Sequence, residues 1–209
     1  MKIESEIKYT ITNRYTFTRI ASLDEIAAYT VENRGVETHT DTYFDTEDFE
    51  LLKGEVAFRL RTRDRKSMLT FKARGEPDSD IFRRIEVESE TEATAKDISQ
   101  DDLPDLPPVR ALHDRMGMVT LSPSLTVTNE RRILLLNSGD VLCFELVLDD
   151  VTFCGPRGRA GELELEVESL TGMDDDLRHV GAWLAERFDL QPAGPSKYMR
   201  GIELVGGIS

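Results

Sequence analysis

The chain has 209 residues, of which 26 are Lys or Arg and 40 are Asp or Glu, giving a formal net charge of −14. So large an acidic excess works against nucleic acid or an anionic membrane as partner, no apolar run approaches the ~20 residues needed to span a bilayer, and the alternating charges of residues 1–10 are not those of a secretory leader. With 39% apolar and 32% charged residues, the composition predicts one globular domain over 1–209. Two cysteines, Cys143 and Cys154, make neither a disulfide framework nor a zinc site, so a reducing cytoplasm is the expected compartment.

Period-two alternation, the mark of half-buried strands, dominates the chain. It opens over Lys2–Ile11, where Glu4, Glu6, Lys8 and Thr10 share one face and Ile3, Ile7, Tyr9 and Ile11 the other. Ser22 with Glu25 three residues on reads as a capping box starting a helix that reaches Asn33 and stops before Gly35. A strand follows over 36–45, then a short turn or helix over 46–53 closed by Gly54, then a strand over 55–63 with Arg59, Arg61 and Arg63 on one face and Phe58 and Leu60 on the other. Residues 67–74 and 82–90 give two more strands, with breakers over 76–80 and 101–108. Pro107–Met116 is predicted helical, with proline at its start and Gly117 at its end. Strands over 125–136, 141–149 and 161–170, the last preceded by breakers over 155–161, complete a set of eight. Asp174, Asp175 and Asp176 then favour a helix N-terminus, and Leu177, Val180, Trp183, Leu184 and Phe188 form one apolar stripe behind them.

Eight strands joined mostly by short connections predict an α+β, mainly β protein built on an antiparallel barrel or highly curved sheet, because parallel pairs need long crossovers. Several of these strands carry ionisable residues at spacing two and aliphatic residues on the other face. If helices cover the aliphatic face, the charged face lines the inside, and the barrel encloses a charged tunnel instead of a packed core.

The chemistry then lies in the strand faces. Glu4 and Glu6, about 7 Å apart along one strand, can share a hard divalent cation, with Lys8 placed to meet the anion that the cation brings. Glu162, Glu164, Glu166 and Glu168 alternate with Leu163, Leu165 and Val167; four aligned carboxylates repel one another, and Mg²⁺ or Mn²⁺, which prefer oxygen ligands, relieve that repulsion. Asp149 shares a face with Glu145, and Glu86 and Glu88 pair beside Arg84. The basic set is Lys8, Arg59, Arg61, Lys72, Arg84, Arg131 or Arg132, and Lys197, with Arg63 and Arg200 as extras; guanidinium forks and ammonium charges suit a chain of phosphates. The histidines His39, His113 and His179 are scattered without metal spacing and are read as surface residues. No Gly-x-Ser-x-Gly, P-loop or Gly-x-Gly-x-x-Gly motif is present.

In order along the chain, Glu4-x-Glu6-x-Lys8, Tyr43-Phe44-Asp45-Thr46, Ala57-Phe58-Arg59-Leu60-Arg61, Leu69-Thr70-Phe71-Lys72, Arg84-Ile85-Glu86-Val87-Glu88, Asn129-Glu130-Arg131-Arg132, Leu148-Asp149-Asp150, Glu162-Leu163-Glu164-Leu165-Glu166 and Ser196-Lys197-Tyr198 resemble the motifs of the CYTH superfamily, the triphosphate tunnel metalloenzymes. The resemblance spans nearly the whole chain. It implies an eight-stranded antiparallel tunnel with helices packed outside, binding a small triphosphate with Mg²⁺ or Mn²⁺. It further implies metal ligation by Glu4, Glu6, Glu86 or Glu88, Asp149, Glu164 and Glu166, and phosphate binding by Lys8, Arg59, Arg61, Lys72, Arg84, Arg131 and Lys197. Glu4, Glu6, Lys8, Glu164 and Glu166 are the expected catalytic set. Asn129 stands where the family often has a lysine.

The favoured expectation is a metal-dependent hydrolase of a small triphosphate, inorganic triphosphate first and thiamine or nucleoside triphosphates after it, acting as a monomer or homodimer. A class IV adenylyl cyclase would use the same tunnel on ATP. A polyphosphate- or nucleotide-binding module would bind without turnover, and a scaffold with its charged strands facing solvent would not bind at all.

Overall fold

The computed structural model describes residues 2–75, 81–99, 103–171 and 174–207. Eight long strands are present: β1 (Lys2–Ile11), β3 (Tyr29–Asp45), β4 (Val56–Arg63), β5 (Lys66–Arg74), β6 (Phe82–Thr91), β7 (Ser122–Ser138), β8 (Val141–Gly155) and β9 (Gly158–Ser169). They pair antiparallel in the order β1-β6-β5-β4-β3-β7-β8-β9, and β9 returns to β1 through Lys8↔Glu166 and its neighbours, which closes the barrel. Two short strands lie at its margin: β2 (Glu25–Ile26) pairs with β3, and β10 (Leu190–Pro192) with the end of β1. The helices are α1 (Arg14–Ala21), α2 (Glu50–Lys53), α3 (Ala95–Ile98), α4 (Pro107–Met116), α5 (Asp174–Arg187) and α6 (Lys197–Val205).

The helix predicted from Ser22 to Asn33 is not formed. Helix α1 sits one segment earlier, where the Asn13 side chain accepts from the Thr16 N–H at 2.8 Å, and Ser22 is its C-cap. Ala27 and Ala28 then adopt left-handed φ angles of 49° and 69°, the geometry of a two-residue hairpin turn whose twist matches the flanking strands. Residues 29–33 continue β3 along β7, from Thr30↔Asn137 to Asn33↔Leu134, and Tyr29 packs edge-on against Phe144 at 5.1 Å. A capping box is a local preference of about 1 kcal/mol; a ladder that satisfies the backbone and partly covers the Tyr29 ring outweighs it.

Other strands outrun their predicted ends for the same reason. Strand β8 reaches Gly155 and β9 starts at Gly158, paired with each other, so the turn between them is only Pro156 and Arg157. The breakers predicted at 76–80 and at 101–102 lie outside the described residues.

Apolar side chains lie mainly outside the barrel wall. Ile7, Leu146, Leu148, Leu165 and Val167 pack under Ile20 of α1 and Leu177, Val180 and Leu184 of α5. Phe58, Leu60, Leu69 and Phe71 pack under Leu51 of α2, Ile98 of α3, and Val109 and Leu112 of α4. Each such side chain stabilises by about 1.5–3 kcal/mol when fully buried, so these outer layers hold the fold and free the inner face for charge. The inner face is not charged throughout, however. At one end Leu125, Val127, Val151 and Phe153 meet Tyr198, Ile202 and Val205 of α6, an apolar plug that the strand pattern alone did not announce.

Candidate active site

Cross-strand register brings the ionisable positions together on the inner face. Directly opposite pairs are Lys8↔Glu166, Glu6↔Glu168, Glu4↔Arg84, Lys72↔Glu86, Asp41↔Arg61, Arg131↔Asp149 and Asp149↔Glu164. The resulting cavity is lined by seven basic residues, Lys8, Arg59, Arg61, Lys72, Arg84, Arg131 and Lys197, and by four acidic ones, Glu4, Glu6, Glu166 and Glu168. Its remaining lining is Tyr43, Ala57, Ser196 and Tyr198.

A second layer of carboxylates aims these cations. Asp41, 1% exposed, accepts from Arg61 Nε and Nη2 at 2.8 and 2.9 Å and from Arg59 Nη1 at 3.3 Å. Burial alone would raise its carboxyl; the two guanidiniums override that and hold it well below the usual carboxylate range. Asp149 is fully buried and takes Arg131 as a fork, Nε at 2.8 Å and Nη2 at 2.7 Å. The Lys197 ammonium lies 2.8 Å from Asp149, 2.5 Å from Glu164 and 2.9 Å from Glu166. Burial by itself would lower the Lys197 ammonium, but Asp149, Glu164 and Glu166 raise it above its ordinary value. Arg200 holds the far side, with Nη2 2.8 Å from Glu162 and 2.9 Å from Glu164. At the other wall Lys72 lies 2.9 Å from Glu4 and 2.7 Å from Glu86.

The expected phosphate-facing residues Lys8, Arg59, Arg61, Lys72, Arg84, Arg131 and Lys197 thus all line one cavity, with Glu4, Glu6 and Glu166 among them. Glu86, Asp149 and Glu164 do not line it; they stand behind its cations. Glu88 lies to one side, accepting from the Thr70 hydroxyl at 3.0 Å and 4.0 Å from Arg59. Arg131, not Arg132, is the inward member of its pair.

Sequence reasoning gave no role to Asp41, nor to Asp45, Tyr198 and Asn129, which entered only as parts of the family motifs, and it misplaced His39. His39, read as a surface residue, is 2% exposed; burial and then the Arg61 charge push its imidazole down to about 3, so the ring is neutral. It lies opposite Asn129 and 3.4 Å from that amide. The usable signal was face parity: His39, Asp41 and Tyr43 share a face, but Thr38, Thr40 and Thr42 are polar on the other, so this stretch of β3 shows no clean alternation.

A CYTH domain family profile matches residues 2–186. The chain belongs to the CYTH domain family. Solved structures similar to this CYTH barrel include a Hippeastrum protein described as a candidate adenylyl cyclase with a dominant triphosphatase activity, 17% identical, with a TM-score of 0.71 over 97% of this chain and 96% of that one. A candidate adenylate cyclase from Bacillus halodurans is 19% identical, with a TM-score of 0.68 over 96% and 98%. The Mimivirus capping enzyme triphosphatase is 12% identical, with a TM-score of 0.50 over 88% and 90%. No curated protein matches the chain. At these identities the likeness is one of fold.

Glu4 and Glu6 give the CYTH cavity carboxylate oxygens, the donor type a hard divalent ion takes. Burial, and then contact with Glu86, push the Glu4 carboxyl up although Lys72 is close, and the buried Glu6 Oε1 lacks a well-directed hydrogen bond although Lys8 is 3.0 Å away. Crowded, under-satisfied carboxylates of this kind fit Mg²⁺ or Mn²⁺. Asp149, Glu164 and Glu166 also bring carboxylate oxygens within 4.8 Å of one another, but there the Lys197 ammonium already sits against all three. Among the described residues, no helix is long and apolar enough to cross a membrane.

Proposed function

We propose that the protein is a metal-dependent hydrolase of a small triphosphate, with inorganic triphosphate as the first candidate substrate. The observation that carries this reading is the cavity wall: seven cations converge on it, while its two aromatic residues, Tyr43 and Tyr198, are 3% and 1% exposed and stacked on each other. The wall suits a chain of phosphates, and among the described residues lining it neither ring is free to stack on a purine, which is why the hydrolase is proposed before an adenylyl cyclase; thiamine and nucleoside triphosphates are second choices.

In this reading Lys8, Arg59, Arg61, Lys72, Arg84, Arg131 and Lys197 bind the phosphate oxygens, and Arg59, Arg61, Lys72, Arg131 and Lys197, being already oriented by Asp41, Glu86, Asp149 and Glu164, stabilise charge on the leaving group without reorganising. Glu4 and Glu6, with Glu86 behind them, would hold Mg²⁺ or Mn²⁺; Glu166 and Glu168 complete the acidic wall. The bound ion would supply charge neutralisation and a more acidic water. Glu4 or Glu6 would also orient the attacking water and take its proton.

The test is phosphate release from inorganic triphosphate, thiamine triphosphate, ATP and GTP with Mg²⁺ and with Mn²⁺, alongside an assay for cyclic AMP. Fastest turnover on inorganic triphosphate is expected, and Glu6→Gln should lower it by about 100-fold or more. Cyclic AMP as the main product, or triphosphate binding without turnover in either metal, would replace the proposal with the cyclase or the binding module.

A further inference from the structure

Lys197 occupies the first turn of α6, and its ammonium reaches the Asp149–Glu164–Glu166 cluster. Besides the Ser196 cap and the Arg200 pairs with Glu162 and Glu164, that turn is tied to a buried carboxylate outside the cavity lining. Asp45, at the end of β3, is 0% exposed, and both its oxygens are used. Oδ1 accepts from the Thr46 N–H at 2.8 Å and the Leu51 N–H at 2.9 Å; Oδ2 accepts from the Leu52 N–H at 2.9 Å and the Tyr198 hydroxyl at 2.7 Å. Tyr198 is further held by the Ser124 hydroxyl, 3.0 Å from its own, and by the Tyr43 ring, stacked at 5.0 Å and 6°.

We propose that Asp45 and Tyr198 form a latch that positions Lys197 for phosphate. Three chemical points support it. A lysine stem is flexible, so its ammonium is well placed only when its Cα is. Burying a carboxylate is costly, and Asp45 offsets that cost with four donors, three backbone N–H groups on the α2 side and the Tyr198 hydroxyl, its one link to α6. An amide in its place has one acceptor oxygen, whereas the latch uses two, one gathering α2 and the other shared between α2 and α6. Asp45 thus joins the end of β3, α2 and the first turn of α6 into one unit. Asp45 and Tyr198 are positioning residues here, and the proposal rests on the phosphate-binding reading of Lys197.

The test uses Tyr198→Phe, which keeps the ring stack and removes only the hydroxyl, with Asp45→Asn as a harsher second variant. Amide hydrogen exchange over 197–205 should quicken about tenfold in Tyr198→Phe while β3 and β7 keep their protection. The Lys197 amine should become correspondingly easier to label with an amine-selective reagent. KM for inorganic triphosphate should rise about tenfold with kcat within about twofold, and the same substitution on a Lys197→Ala background should leave KM unchanged. Unaltered exchange and labelling would overturn the latch, as would an equal KM penalty in both backgrounds, which marks general destabilisation. If Lys197→Ala itself leaves KM unchanged, the phosphate-binding reading fails, and exchange with labelling decides the latch without reference to activity.

Discussion

Two guanidiniums share the Asp41 carboxylate, and its charge is what keeps them buried at low cost. Taking that charge away leaves Arg59 and Arg61, with side chains 12% and 22% exposed, facing each other. Breaking a buried pair from one side costs about 3–5 kcal/mol, because the surviving charge is uncompensated. Asp41→Asn is therefore expected to lower the unfolding free energy by about that amount in urea, and inorganic triphosphate should restore part of it by supplying other negative oxygens. A loss under about 1 kcal/mol, the size of an exposed pair, would mean that the arginines relax into solvent. His39 gives a pH dependence of known sign. Its folded pKa, about 3, lies below the ~6.5 of an exposed histidine. The unfolded chain therefore takes up the proton first, and stability complete above ~6.5 is lost as pH falls toward 3, at about 1.4 kcal/mol per unit. Between pH 7 and pH 5 the wild type should lose about 2 kcal/mol that His39→Gln does not lose. Parallel profiles for the two proteins would refute the neutral buried ring.

At the scale of elements, strands were legible and α6 was not. Period two shows which side chains share a face, and β1 and β4 to β6 carry the alternation most clearly, so their faces and nearly their ends followed from pattern. Depth is a different quantity. Whether Glu86 or Asp149 fronts the cavity or stands behind a cation depends on barrel curvature and on what fills the lumen, and no single strand encodes either. Helix α6 fills one end, with Tyr198, Gly201, Ile202 and Val205 buried at helical spacing, but a glycine interrupts the apolar stripe that would have revealed it. That glycine has a packing reason. A Cβ at Gly201 would stand 2.5 Å from Leu125 Cδ2 and 2.7 Å from Phe153 Cδ1. In an exposed helix Gly→Ala gains about 1 kcal/mol; here overpacking of about 1–3 kcal/mol opposes it. Gly201→Ala is expected to lower the urea midpoint and weaken triphosphate binding together, since moving α6 outward moves Lys197. A stabilised variant would show that the plug has room to spare.

For the whole molecule the puzzle is a chain of net charge −14 that gathers seven cations at one cavity. Closure of β9 onto β1 is what permits it. Hydrogen bonds satisfy the wall all round, the apolar layers outside supply the burial, and the lumen can hold opposed charges that no ordinary core would accept. The cations are balanced from behind by carboxylates, so the resting site is an internal ion-pair network, and a polyanion entering it offers oxygens to groups already desolvated and aimed. A ligand that binds the folded barrel and finds no equivalent site on the unfolded chain must raise thermal stability by mass action. At a concentration 100 times its dissociation constant the gain is about 2.7 kcal/mol, which for a protein of this size moves the midpoint by about 5–11 °C. Inorganic triphosphate with Mg²⁺ is expected to give a shift in that range. Orthophosphate, with too few oxygens to span the two walls, should give a much smaller one at equal concentration. Equal shifts from the two anions, or none from either, would show that the cavity does not read a phosphate chain.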